Sequence, residues 1–211
     1  MNRATPALLS LVCALGSAAS PRVAHSEAPT PAAPPPALAL SAEAPAPSDK
    51  PSVDAIAVPG SSIERMRATV AVNAPIDRVR AVVFDFPRYP DFMPHYRRGL
   101  IERRSPSGSF EVRLDMEELA GAVHVWVRVE IPVAERAGAT ERYKGRLLAG
   151  SVKAFEPRWE LESLGPSKTR LMVESFMDPD LPLVPSSLVN SGARERIRDV
   201  ILALKARAES R

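Results

Sequence analysis

The sequence predicts an α+β domain running from Ser61 to Arg211, in which an antiparallel sheet of about seven strands is covered on one face by helix. Two observations predict it. Between His95 and Met177 the chain alternates apolar and polar residues over several short runs, so each strand has one apolar face. From Ser186 to Ala208, apolar residues recur instead every three or four positions, the period of a helix with one apolar stripe.

The residues before Ser61 read differently. Arg3, the apolar run Ala7–Leu15 and the small residues Gly16 to Ala19 form the pattern of an export signal, with cleavage expected after Ala19 or, as a second choice, Ala24. The apolar run is well short of the roughly 20 residues that span a bilayer. Residues 1–19 are therefore expected to be a signal peptide, and the protein to be periplasmic or secreted. Cys13, the sole cysteine, lies inside that signal and follows Val12 rather than the small residue a lipid-anchoring cysteine wants. Its removal would leave no thiol for disulfides, metal ligation or nucleophilic chemistry. Residues 20–60 are rich in Ala, Pro and Ser and have no aromatic residue, so they are expected to be a disordered linker that proline stiffens.

From Ser61 onward there are 25 Lys+Arg and 21 Asp+Glu, a net charge of +4 with both signs interleaved. That pattern lacks the concentrated basic stripe of a nucleic-acid binder, and no nucleic acid is expected as a partner.

Within the domain, Arg67–Val72 alternates and reads as a strand. Asn73 is placed to cap a following helix with Pro75 in its first turn and Ile76, Val79, Val82 and Val83 on its apolar side. Pro87, Pro90 and Pro94 then allow one short helical turn at most. Phe110, Val112, Leu114 and Met116 share one face of a strand. Val123, Val125, Val127, Val129 and Ile131 share another. Phe155, Trp159 and Leu161 have common parity, as do Leu171, Val173, Ser175 and Met177. Ser186 or Ser187 is placed to cap the final helix, whose stripe is Val189, Ala193, Ile197, Val200, Ile201, Leu204 and Ala208. Arg194, Arg198, Lys205 and Arg207 fall off that stripe.

Three segments in this order resemble a known family. They are Val72–Pro75 leading into Phe84–Pro94, Gly150–Leu161, and Asp178–Pro182 continuing through Leu188–Asn190 to Ala203–Glu209. Together they are similar to a START-like domain of the polyketide cyclase/dehydrase and lipid-transport superfamily, which includes coenzyme Q-binding proteins. The resemblance implies a helix-grip fold, in which a curved antiparallel sheet wraps a long C-terminal helix around an apolar cavity. It implies a ligand class (lipids, quinones, hormones or polyketides) more than a reaction.

The candidate cavity lining is Met116, Val125, Val127, Trp159, Leu161 and Val173, with Met177, Ile197 and Ile201, and with Phe92 and Met93 near the mouth. Each of these side chains has an alternative role as plain core. Ser175 interrupts the apolar parity of its strand and is read as bonding a neighbouring carbonyl or, alternatively, as orienting a ligand. His95 stands at a loop–strand junction, and His124 is on a polar face with Arg128 and Glu130. Glu117 and Glu118 are adjacent and should point to opposite faces. With no metal-pair spacing and no Gly-rich phosphate loop, no catalytic residue, cofactor or metal is assigned. Arg97-Arg98 with Arg103-Arg104, and Arg194 with Arg196 and Arg198, read as solvated surface or as a transient contact with an anionic membrane surface. The leading expectation is a non-enzymatic carrier of a hydrophobic small molecule. A cyclase or aromatase-like enzyme and a tethered protein-interaction module are the alternatives.

Overall fold

The apolar alternation that begins at Met66 continues to Val72 and forms an eight-residue strand, β2 (Arg65–Val72). In the computed structural model, which describes residues 48–118 and 121–210, a further strand precedes it. This is β1 (Ser52–Ile56), paired antiparallel with β2 from Ser52 opposite Thr69 to Ile56 opposite Arg65. It corrects the expected linker, which was to extend to residue 60. Val53 and Ala55 are partly buried against the core. Their alternation is too short to signal a strand alone, and the open edge of β2 supplies the missing hydrogen-bond partners. The expected signal peptide, Cys13 and the linker up to residue 47 lie outside the described residues.

Helix α1 (Ile76–Val83) follows, buries Val79 and Val83, and has Pro75 at its N-cap with no side-chain cap. The capping role expected of Asn73 is not observed. Its backbone N–H instead donates to Glu209 Oε1 at 2.7 Å. Lys205 Nζ donates to the Ala71 carbonyl at 2.7 Å and also bonds Glu209, so the end of the chain is tied to the turn after β2. A 3-10 turn (Phe86–Arg88) and one turn of helix, α2 (Tyr89–Phe92), then carry the proline segment, as three prolines require.

The remaining strands are β3 (Tyr96–Arg104), β4 (Phe110–Glu118), β5 (Val123–Ile131), β6 (Glu135–Ala137), β7 (Thr140–Lys144), β8 (Arg146–Gly150), β9 (Ala154–Gly165) and β10 (Lys168–Asp178). All pairing among the described residues is antiparallel, in the orders β1-β2-β10-β9-β7-β6 and β3-β4-β5-β8. Ten described strands therefore replace the expected seven or so, and they form two sheets rather than one. Gly145 marks the division. It separates β7, which pairs with β9, from β8, which pairs with β5, so one run of chain passes from sheet to sheet. Its N–H donates to the Pro157 carbonyl at 2.8 Å. A Cβ there would come within 2.7 Å of Pro157 Cγ and 2.9 Å of Val129 Cγ1. The corner needs a residue without a side chain.

The C-terminal helix α3 (Ser186–Glu209) closes the grip and buries Ile197, Val200, Ile201, Leu204 and Ala208. Its N-cap is Pro185, without a side-chain cap, so neither Ser186 nor Ser187 caps it as expected. Val189 and Ala193, expected on the buried stripe, are only half-buried, and no residue of α3 before Ile197 is buried. Polar contacts hold this first half instead. Asn190 Oδ1 accepts from the Glu64 N–H at 3.0 Å, and Asn190 Nδ2 donates to the Ser62 carbonyl at 3.1 Å.

Candidate ligand cavity

An internal cavity lies between the first half of α3 and the inward faces of both sheets. Its volume is about 50 Å³, room for a few waters. The sheets contribute Val112, Leu114, Val129, Ile131 and Phe155, and the helix contributes Ile197 and Val200.

Five of the eleven residues expected to line a cavity do so: Met116, Trp159, Val173, Met177 and Ile197. The other six do not, and the expectation is corrected for each. Val125, Val127, Leu161 and Ile201 are buried in the solid core, and Met93 is buried beside it. Phe92 is half-buried under the Arg207 guanidinium, 5.6 Å from its ring centre. Parity assigned each strand residue to the correct face. It could not say how far along the strand the packed core gives way to space.

The wall also carries polar groups. Arg196, read from sequence as a solvated cation, lines the cavity with its side chain only 12% exposed and pairs with Glu118, itself 10% exposed. Burial lowers the Arg196 pKa and Tyr96 opposes that shift, but a guanidinium stays charged throughout the working range. The helical period contained this signal: Ala193, Arg196 and Val200 are spaced by three and four, so Arg196 shares their face. Arg194 and Arg198 are exposed, as expected. Glu117 and Glu118 do point to opposite sides, Glu117 bonding Arg97 at 2.5 Å on the outside. Glu64, Tyr89, Tyr96 and Ser175 complete the polar part of the wall. Tyr89 donates to the Val83 carbonyl at 2.5 Å. Among the described residues neither the Tyr96 hydroxyl nor the Ser175 hydroxyl has a hydrogen-bond partner. The backbone bond expected for Ser175 is thus not observed. Glu174 also borders the cavity, but its carboxylate faces away, bonded by Arg65, Arg67 and Arg158.

The histidines stand apart from the cavity. His95, with a left-handed φ of 69°, has Nε2 3.2 Å from Asp199 Oδ2 on α3, and its carbonyl accepts from the Glu117 N–H at 2.8 Å. It ties the start of β3 to the helix. His124 is exposed, 3.8 Å from Glu117, while Glu130 bonds Arg146. His124 and Glu130, which share a polar face, thus have separate partners.

All three tyrosines of the sequence are held above their ordinary pKa. Burial is the leading cause for each, and it pushes Tyr143 up to about 12 with help from its bond to Glu141. Neutral phenols thus contribute stability that is complete below the ordinary value near 10 and lost as pH rises through the folded value. The expected near-ultraviolet titration of the folded protein shows no tyrosinate step near pH 10. A reversible step there, with the fold intact, would place at least one phenol in water.

Fold and cavity together define a helix-grip domain of the START-like class. Residues 72–205 match the family described as polyketide cyclase / dehydrase and lipid transport, and the chain belongs to that family. It is similar to a START superfamily protein from Mycobacterium smegmatis, with 28% identity, a TM-score of 0.57, and coverage of 69% of this chain and 97% of that one. It also resembles in fold the STAR-related lipid transfer protein from Xanthomonas axonopodis (16% identity, TM-score 0.67, coverage 77% and 96%). Human StAR-related lipid transfer protein 5 shares the fold at 12% identity, with a TM-score of 0.65 and coverage of 77% and 84%. No curated protein matches the chain significantly.

Proposed function

We propose that this protein binds and carries a hydrophobic small molecule, such as a lipid or quinone, in the cavity under α3, without chemical conversion. The observation that carries the reading is the cavity itself, enclosed by Met116, Trp159, Val173, Met177 and Ile197 in a domain of a lipid-transport family. Apolar walls with a few polar groups are the usual form of such sites. The closed volume requires the walls to part on loading. The first half of α3, which buries no side chain before Ile197, is the wall with least to lose. The export signal and linker would place the carrier outside the cytoplasm on a tether. The exposed Arg98, Arg104, Arg194 and Arg198 would give salt-sensitive, transient contact with anionic lipid headgroups.

The test is native mass spectrometry of protein recovered from the periplasmic fraction, followed by organic extraction. The expected result is an apolar molecule bound at one per chain. Protein that stays in the cytoplasm would remove the export reading. Protein that emerges empty and takes up no apolar compound would remove the carrier reading.

A second reading, an enzyme of the cyclase or aromatase kind, is favoured by one observation: Tyr96, Ser175 and Arg196 put polar groups on the cavity wall. It predicts that extracted ligand changes mass on prolonged incubation with the protein.

A further inference from the structure

The polar part of the cavity wall has a definite hydrogen-bonding sense. Tyr96 and Ser175 present hydroxyls with no partner among the described residues, and Arg196 presents a guanidinium, which can only donate. Tyr96 stands opposite Met116 in the β3–β4 register, and Arg196 pairs with Glu118 two residues further along the same face of β4, so both lie at one end of the cavity. An ion pair placed beside apolar space is seldom retained for stability, because well-packed apolar residues serve as well or better. Adhesion between α3 and β4 therefore does not account for it.

The charges decide which acceptor suits this end. Glu118 already balances Arg196, so an anionic head would bring a negative charge that no remaining cation of this end offsets, which is costly at low dielectric. A neutral acceptor takes the donors without adding charge. We propose that the ligand's polar end is a neutral carbonyl (a ketone, quinone or ester) that accepts hydrogen bonds from Tyr96 and Arg196 while its apolar body lies against Trp159 and Met116. This rests on the carrier reading above and narrows the class of molecule carried.

The experiment compares three probes of equal chain length, methyl nonyl ketone, n-undecane and undecanoate, by competition against Nile red in the full chain. The expected result is that the ketone binds roughly tenfold more tightly than either of the others, the worth of about one net hydrogen bond. The ketone-to-alkane ratio should fall toward one in Tyr96→Phe. It should do the same in the double variant Arg196→Met with Glu118→Leu, which leaves no buried charge unpaired. In the infrared spectrum, the carbonyl stretch of bound ketone should lie at lower frequency in the wild type than in Tyr96→Phe, a shift that a purely structural role of Tyr96 would not produce. Equal binding of ketone and alkane would overturn the proposal and leave the carrier reading standing. Tightest binding of undecanoate would overturn the charge argument and the proposal with it. Failure of all three probes to displace the dye would overturn both readings together.

Discussion

Gly99→Ala is expected to destabilise the domain severely. Strand β3 passes directly beneath the 3-10 turn at Phe86–Arg88. A Cβ on Gly99 would lie 1.9 Å from the Phe86 carbonyl oxygen and 2.6 Å from its carbon. Both atoms are backbone, so no rotamer change relieves the clash and the turn must lift off the strand. Phe86 is fully buried, with its ring centre 4.9 Å from Tyr89 and 6.0 Å from Phe110, so lifting the turn disturbs the aromatic core as well. Overpacking of this kind costs about 3 kcal/mol or more. For a domain of this size that is a fall in Tm of roughly 10 °C. Gly138→Ala is the natural control, because a Cβ there meets nothing within 4 Å and only its left-handed φ of 57° opposes the change. That variant should lose about 1 kcal/mol. Similar melting of the two variants would show that β3 and the turn are not in close contact.

The second large effect is expected at Glu141. This buried carboxylate accepts from Arg80 Nε at 2.6 Å, Arg80 Nη2 at 2.8 Å and the Tyr143 hydroxyl at 3.0 Å, and pairs with Arg136 at 3.2 Å. It therefore joins α1 to β7 at the end of the domain. Burial alone would raise its pKa, but the bonds from Arg80 and Tyr143 and the charges of Arg80 and Arg136 outweigh burial and hold it below the ordinary value. Removing the carboxylate leaves the Tyr143 hydroxyl and the Arg80 Nε and Nη2 donors without their partner, while Asp77 still holds Arg80 Nη1, so Glu141→Ala should cost about 2 kcal/mol. Pairing that change with Arg80→Met should recover a substantial part of the loss. A double variant no more stable than the single one would mean that the guanidinium is solvated once the carboxylate is gone.

Glu141 also sets a pH dependence. A depressed folded pKa contributes stability that is present above the unfolded value, about 4.3, and is lost as pH falls through the folded value. Denaturant melts at successive pH values should show this acid loss in the wild type and a shallower one in Glu141→Gln. An unchanged acid slope in that variant would assign the acid sensitivity to other carboxylates.

Period and parity alone placed the main elements: the α1 stripe at Val79 and Val83, the inward faces of β4, β5, β9 and β10, and the buried half of α3. Other features depended on partners distant in sequence. Val53 and Ala55 became a strand because the edge of β2 was open to them. Asn73 lost its cap because Glu209, at the far end of the chain, reached its N–H. Gly145 turned one strand into two because Pro157 and Val129 crowd its Cα.

The cavity divides in the same way. Residue type and alternation determined that Met116, Trp159, Val173, Met177 and Ile197 face inward and are apolar. They determined the same for Val125, Val127, Leu161 and Ile201, which fill solid core. Where α3 stands off the sheets decided between the two groups, and that stand-off is a property of two packed surfaces rather than of either sequence segment. Arg196 shows the converse. Its helical spacing with Ala193 and Val200 was legible, but its charge argued for solvent until Glu118 on β4 supplied a buried partner. By itself the sequence determined an α+β grip and its apolar faces, because side-chain direction follows from local geometry. Only the tertiary structure decided which inward side chains border space and which cation is held there, because both depend on distances between elements that no local pattern encodes.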